Sequence, residues 1–124
     1  MKAHSSMMPV AALIATAGLI LGVSEAQAHP QLVSATPAAN ETVAAPKTIT
    51  LHFSEKLEAK FSGLELTKDD GGKVEVVSSV PVGDRKAVTG VVTGQLAPGT
   101  YMVMWHAVSA DGHRIKGNFN FIVP

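Results

Sequence analysis

Beyond position 30 the hydrophobic residues fall at alternate positions, in short runs separated by glycine, proline and aspartate. The clearest run is 47–53. Ile49, Leu51 and Phe53 share one face there, and Thr48, Thr50 and His52 share the other. That is the period of a strand with one side buried, and it leaves His52 on the solvated side. The same reading predicts strands over residues 31–36, 61–67, 73–78, 86–93, 100–108 and 113–123. In the second of these, Leu64 and Leu66 oppose Phe61, Gly63, Glu65 and Thr67; in the last, Phe119, Phe121 and Val123 share a face. Between the runs stand breakers: Pro37, Ala97-Pro98-Gly99, and Asp69-Asp70-Gly71-Gly72, where Asp-Gly suits a tight hairpin. Seven short strands with no convincing helix among them predict an all-β fold, a Greek-key sandwich or partly closed barrel.

The N-terminal stretch has a different pattern. Lys2 precedes an apolar run from Pro9 to Val23, and the run ends at Ala26-Gln27-Ala28. An h-region of about fifteen residues is too short to span a bilayer and ends as a signal-peptidase site does. The expectation is a cleaved secretory leader over residues 1–28 and one domain over 29–124, exported across a membrane. Removing 28 of the 124 residues leaves 96, enough for a single core. The leader carries one lysine and one glutamate, so 10 basic and 10 acidic side chains become nine of each. Such balance offers no basic surface for nucleic acid. The chain has no cysteine, which excludes disulfides and thiolate metal sites.

Cleavage after Ala28 changes the chemistry of His29. A histidine at a free N-terminus presents an amine and an imidazole Nδ1 that can close a six-membered ring on a metal. The amine has a pKa of about 7.7–8.0, so a metal displaces its proton near neutrality. With the leader attached that nitrogen is an amide. Asp111-Gly112-His113 sets a carboxylate and a second imidazole two residues apart. Together these atoms make the N/O donor set of a tetragonal Cu(II) site, with Ni(II) second and Zn(II) requiring a tetrahedral rearrangement. The plainer readings are that some residue must follow any cut, and that Asp111 closes a turn.

The chain resembles the CopC family of small periplasmic copper-binding proteins. The resemblance lies in His29-Pro30, Thr36-Pro37-Ala38-Ala39-Asn40, Leu51-His52-Phe53-Ser54-Glu55, Phe61-Ser62-Gly63 and Leu96-Ala97-Pro98-Gly99-Thr100-Tyr101. It continues through Trp105, Val108-Ser109-Ala110-Asp111-Gly112-His113 and Gly117-Asn118-Phe119-Asn120-Phe121, so it spans nearly all of residues 29–124. It implies a cupredoxin-like or immunoglobulin-like Greek key. It also implies one Cu(II) per mature chain, held by His29, Asp111 and His113. Glu55 falls at the position of a nearby acidic residue sometimes counted as a weak ligand; it is read as placed to orient a ligand or hold a water, the plainer alternative being a solvated loop carboxylate. A periplasmic monomer that carries or buffers copper follows, beside a membrane copper transporter or another copper-resistance protein. Trp105 is read as core packed beneath the site.

Some relatives carry a second, Cu(I) site in a methionine-rich central loop, but between Phe61 and Lys86 this chain has neither Met nor His. Met102, Met104 and His106 do share a strand face. Their spacing of about 6.6–6.8 Å is wide for one ion, so a packing or partner face is the expectation. Two other functions compete with the carrier. A histidine-brace copper mono-oxygenase would need a broad substrate surface and a coordination position that Asp111 fills. A metal-free immunoglobulin-like module would make the N-terminal His and Asp-Gly-His coincidental.

Overall fold

The computed structural model describes residues 30–124; the leader assigned to residues 1–28 and His29 lie outside them. The elements are β1 (Leu32–Thr36), β2 (Thr48–Phe53), a 3₁₀ turn (Ala59–Phe61), β3 (Gly63–Lys68), β4 (Lys73–Val74), β5 (Val76–Ser79), β6 (Ala87–Val92), β7 (Gly99–Val108) and β8 (Arg114–Val123). They form two antiparallel sheets, one ordered β1-β2-β6-β5 and the other β4-β3-β7-β8. Because β2 lies beside β6 and β3 beside β7, the chain crosses between sheets repeatedly, as an immunoglobulin-like Greek key does.

The alternation read from the sequence is what the two sheets bury between them. Ile49, Leu51 and Phe53 from β2 face Leu64 and Leu66 from β3, with Tyr101, Val103 and Ala107 from β7 and Phe121 from β8; all are buried. Tyr101 sits opposite Phe121 in the β7–β8 register, and their rings stack at 5.6 Å. Its hydroxyl donates to the Ala97 carbonyl at 2.6 Å, which ties the Pro98-Gly99 turn down onto β7. His52 points outward and is exposed, as expected.

Eight strands form rather than seven. Residues 73–78, read as one strand, belong to two: β4 pairs with β3 through Leu66↔Val74 and Thr67↔Lys73, whereas β5 pairs with β6 in the other sheet. The crossing is at Glu75, whose carbonyl accepts from the Thr93 backbone N–H at 3.1 Å and the Thr93 hydroxyl at 3.2 Å. Val74 and Val76 both pack against the core, so the alternation runs unbroken through the switch. The second correction is Phe61, which ends the 3₁₀ turn and does not belong to β3.

Trp105 is half-buried, packed against the core from β7. Its ring meets Phe53 edge-on, with centroids 5.2 Å apart and planes at 70°. It also lies over Gly117 directly across the β7–β8 ladder; a Cβ there would come within 2.5 Å of Trp105 Cζ2. The absence of a side chain at 117 is therefore what seats the indole.

Candidate metal centre

One end of the sandwich gathers the loop after β2, the loop between β7 and β8, and the point where the described chain begins. Pro30 is fully buried. Gln31 is clamped to Ser54 by two bonds of 2.9 Å, its N–H to the Ser54 hydroxyl and its carbonyl accepting from the Ser54 N–H. Leu57, also fully buried, anchors the same loop. From it the Glu58 N–H donates to the Val108 carbonyl at 2.8 Å, and the Lys56 carbonyl accepts from the Ala110 N–H at 2.9 Å. The β2 loop and the β7–β8 loop are thereby stitched together at both sides of Leu57.

Within the β7–β8 loop the organising residue is Ser109, only 2% exposed. Its N–H donates to the His113 carbonyl at 2.8 Å, and its carbonyl accepts from the Gly112 N–H at 2.8 Å. Gly112 takes φ +94, a conformation that glycine adopts without cost and β-branched residues resist. The Ser109 hydroxyl accepts from the His113 N–H at 3.1 Å and donates to Asp111 Oδ1. The sequence places Ser109 in the loop before the last strand and in the Ser-Ala-Asp-Gly-His run, without a role of its own. A serine two residues before an aspartate and three before a glycine is the signal that could have found it, since such hydroxyls bond the neighbouring backbone.

This clasp brings Asp111 and His113 together: His113 Nδ1 lies 3.0 Å from the same Oδ1. An ionised carboxylate only accepts, so Nδ1 holds the proton between them. The Ser109 bond first, and the His113 bond second, lower the Asp111 carboxyl from 3.8 to about 2. The aspartate is thus a carboxylate throughout the physiological range. The observed 3.0 Å is a hydrogen bond that keeps these two donor atoms side by side.

Among the described residues no three His, Cys, Asp or Glu side chains form a metal-binding group. Asp111 and His113 bring two candidate donors together. His29 lies outside the described residues. Glu55 is half-buried and shares with Asp111 a cavity of about 370 Å³, also lined by Ser54, Lys56 and Lys86; it does not join the Asp111–His113 pair as a third donor. Met102, Met104 and His106 share the outer face of their sheet as read, but they open onto three separate depressions. No helix among the described residues is long and apolar enough to cross a membrane.

Comparison with known proteins agrees with this architecture. The CopC domain model matches residues 32–124. Copper resistance protein C of Escherichia coli is 43% identical over 118 residues, which cover 89% of this chain and 94% of that protein. The crystal structure of PcoC, a methionine-rich copper resistance protein from Escherichia coli, superposes with a TM-score of 0.71 at 42% identity, covering 78% of this chain and 100% of that one. The crystal structure of CopC from Methylosinus trichosporium OB3b gives a TM-score of 0.71 at 31% identity, over 77% and 93% of the two chains.

Proposed function

The chain belongs to the CopC domain family, and from that membership we propose that it is a periplasmic copper-binding protein of copper homeostasis or resistance, holding one Cu(II) per mature chain. The observation that carries the reading is the Asp111–His113 pair, a carboxylate and an imidazole held side by side by Ser109. The remaining donors are the amine and imidazole of His29, freed when the leader over residues 1–28 is removed. Residue 29 is joined to Pro30, which is buried at the end of the sandwich that carries Asp111 and His113. Nitrogen and carboxylate donors without any thiolate favour the divalent ion over Cu(I).

Each residue has a defined task in this reading. His113 and Asp111 give up the proton they share and offer Nδ1 and Oδ1. Ser109 keeps the carboxylate charged and aimed. Glu55, across the shared cavity, orients a bound water or ligand, with Lys56 and Lys86 beside it. In this reading the protein is a carrier or buffer, in line with the copper resistance proteins it resembles. It passes copper to a membrane copper transporter or another resistance protein, or withholds copper from it.

The test is Cu(II) titration of two forms, one beginning at His29 and one with a single alanine before it, followed by electron paramagnetic resonance and Trp105 fluorescence. The expected result is one tightly held ion with a nitrogen-rich tetragonal signal in the first form alone. Equal binding by both would remove the N-terminal amine from the site.

A further inference from the structure

Among the described residues, the outer edge of β8 is covered along only half its length. Residues 40–43 run beside it, with the Asn40 N–H donating to the Asn120 carbonyl at 2.6 Å. The Val43 N–H donates to the Ile122 carbonyl at 2.9 Å, and the Ile122 N–H to the Glu41 carbonyl at 2.8 Å. The β7–β8 register is unbroken from Gly99↔Val123 to Val108↔Arg114. In an antiparallel ladder alternate residues turn their N–H and C=O to opposite sides. Asn120 and Ile122 face outward, so Asn118, Lys116 and Arg114 do as well. Among the described residues no backbone partner meets those three.

The side chains along this open half-edge are segregated by charge. On the outer face stand Arg114 and Lys116, which with Lys60 border a groove of about 600 Å³ floored by Val108 and His106. No carboxylate lines it, and among the described residues none of these three cations is in an ion pair. That is a local excess in a chain whose formal charges sum to zero. Phe61, 58% exposed, flanks the same groove; Ser62, which accepts from the Val108 N–H at 3.0 Å, holds the turn that presents it. On the inner side of the edge, Ile115 and Phe119 are only half-buried.

We propose that the open edge of β8 from Arg114 to Asn118 is a docking site for an acidic, extended segment of a partner protein. The segment would add as a further strand. Its alternate carboxylates would meet Arg114 and Lys116, and its intervening apolar side chains would cover Ile115 and Phe119. Cations on an edge strand repel a second copy of the same edge. Here they exclude self-pairing and select an acidic strand. Arg114 directly follows His113, so a segment docked here lies beside the Asp111–His113 pair. The inference needs no metal: if copper binding at that pair failed its own test, the edge would still pair.

The test is a ¹⁵N–¹H NMR titration of the chain beginning at His29 with a capped heptapeptide alternating glutamate and leucine. A lysine–leucine peptide serves as control. The expected result is shift changes and slowed amide exchange at Arg114, Lys116 and Asn118, with binding that weakens as salt rises. The exposed substitutions Arg114→Glu and Lys116→Glu, with unchanged melting temperatures, should each weaken binding about tenfold by reversing the local field. Equal binding of the lysine peptide, or shifts scattered away from β8, would overturn the proposal. So would adsorption to phosphatidylglycerol vesicles without peptide binding, which would make the patch a membrane surface. Concentration-dependent protection of residues 114–118 in the chain alone would make it a self-interface and overturn it equally.

Discussion

Gly117→Ala tests how Trp105 is seated. The new Cβ would lie 2.5 Å from Trp105 Cζ2, 3.0 Å from Cε2 and 3.2 Å from Cη2, closer than carbon atoms approach without displacement. The indole cannot tilt freely, because its other side meets Phe53, a residue 3% exposed in the opposite sheet. Alanine in a strand interior would by itself stabilise by about 0.5–1 kcal/mol relative to glycine. Overpacking costs about 1–3 kcal/mol, and with a rigid ring pinned between two sheets the upper half applies. The net expectation is a loss of about 1–2 kcal/mol. For a domain of this size each kcal/mol lowers the melting temperature by roughly 4–8 °C. Urea unfolding reads it directly, since Trp105 is the only tryptophan and its emission reports both the transition and the displaced ring. An alanine variant as stable as the parent, with unshifted emission, would refute the packing argument.

Two further expectations follow from single hydrogen bonds. Ser109→Ala removes the largest cause of the low Asp111 pKa, so that carboxyl should titrate closer to 3.8 than to about 2. A depressed carboxylate adds stability above its unfolded pKa and loses it as pH falls through the folded one. With the folded and unfolded values brought together, the stability that this carboxylate contributes above its unfolded pKa should shrink, and the acid-side stability profile of the variant should be flatter. Carboxyl ¹³C NMR of Asp111 checks this, and an unchanged titration would remove Ser109 from its role. Tyr101→Phe deletes the bond to the Ala97 carbonyl from a fully buried ring and should cost about 1 kcal/mol in urea unfolding. A neutral result would mean the Pro98-Gly99 turn holds without it.

The residue pattern alone decided which side of each strand is buried. Ile49, Leu51 and Phe53 alternate with polar neighbours, and only one face of such a strand can leave water. It also supplied the donors, because Asp111-Gly112-His113 and the absence of cysteine limit the chemistry whatever the fold. Alternation names a face but not a partner strand. The crossing at Glu75 left no mark, since Val74 and Val76 keep the period while entering different sheets. The same limit hid how Asp111 and His113 are organised. Ser109 acts through a loop closed by Leu57 and Lys56, about fifty residues away along the chain, and such contacts depend on how sheets stack. Met102, Met104 and His106 show the converse: their spacing along one strand was legible, but the cross-strand neighbours that part them into separate depressions were not. The open half of the β8 edge likewise arises because residues 40–43 fold back over Asn120 and Ile122 and stop there. Local order in this chain is set by residue period; the site and the free edge are set by which distant segments the two sheets bring side by side.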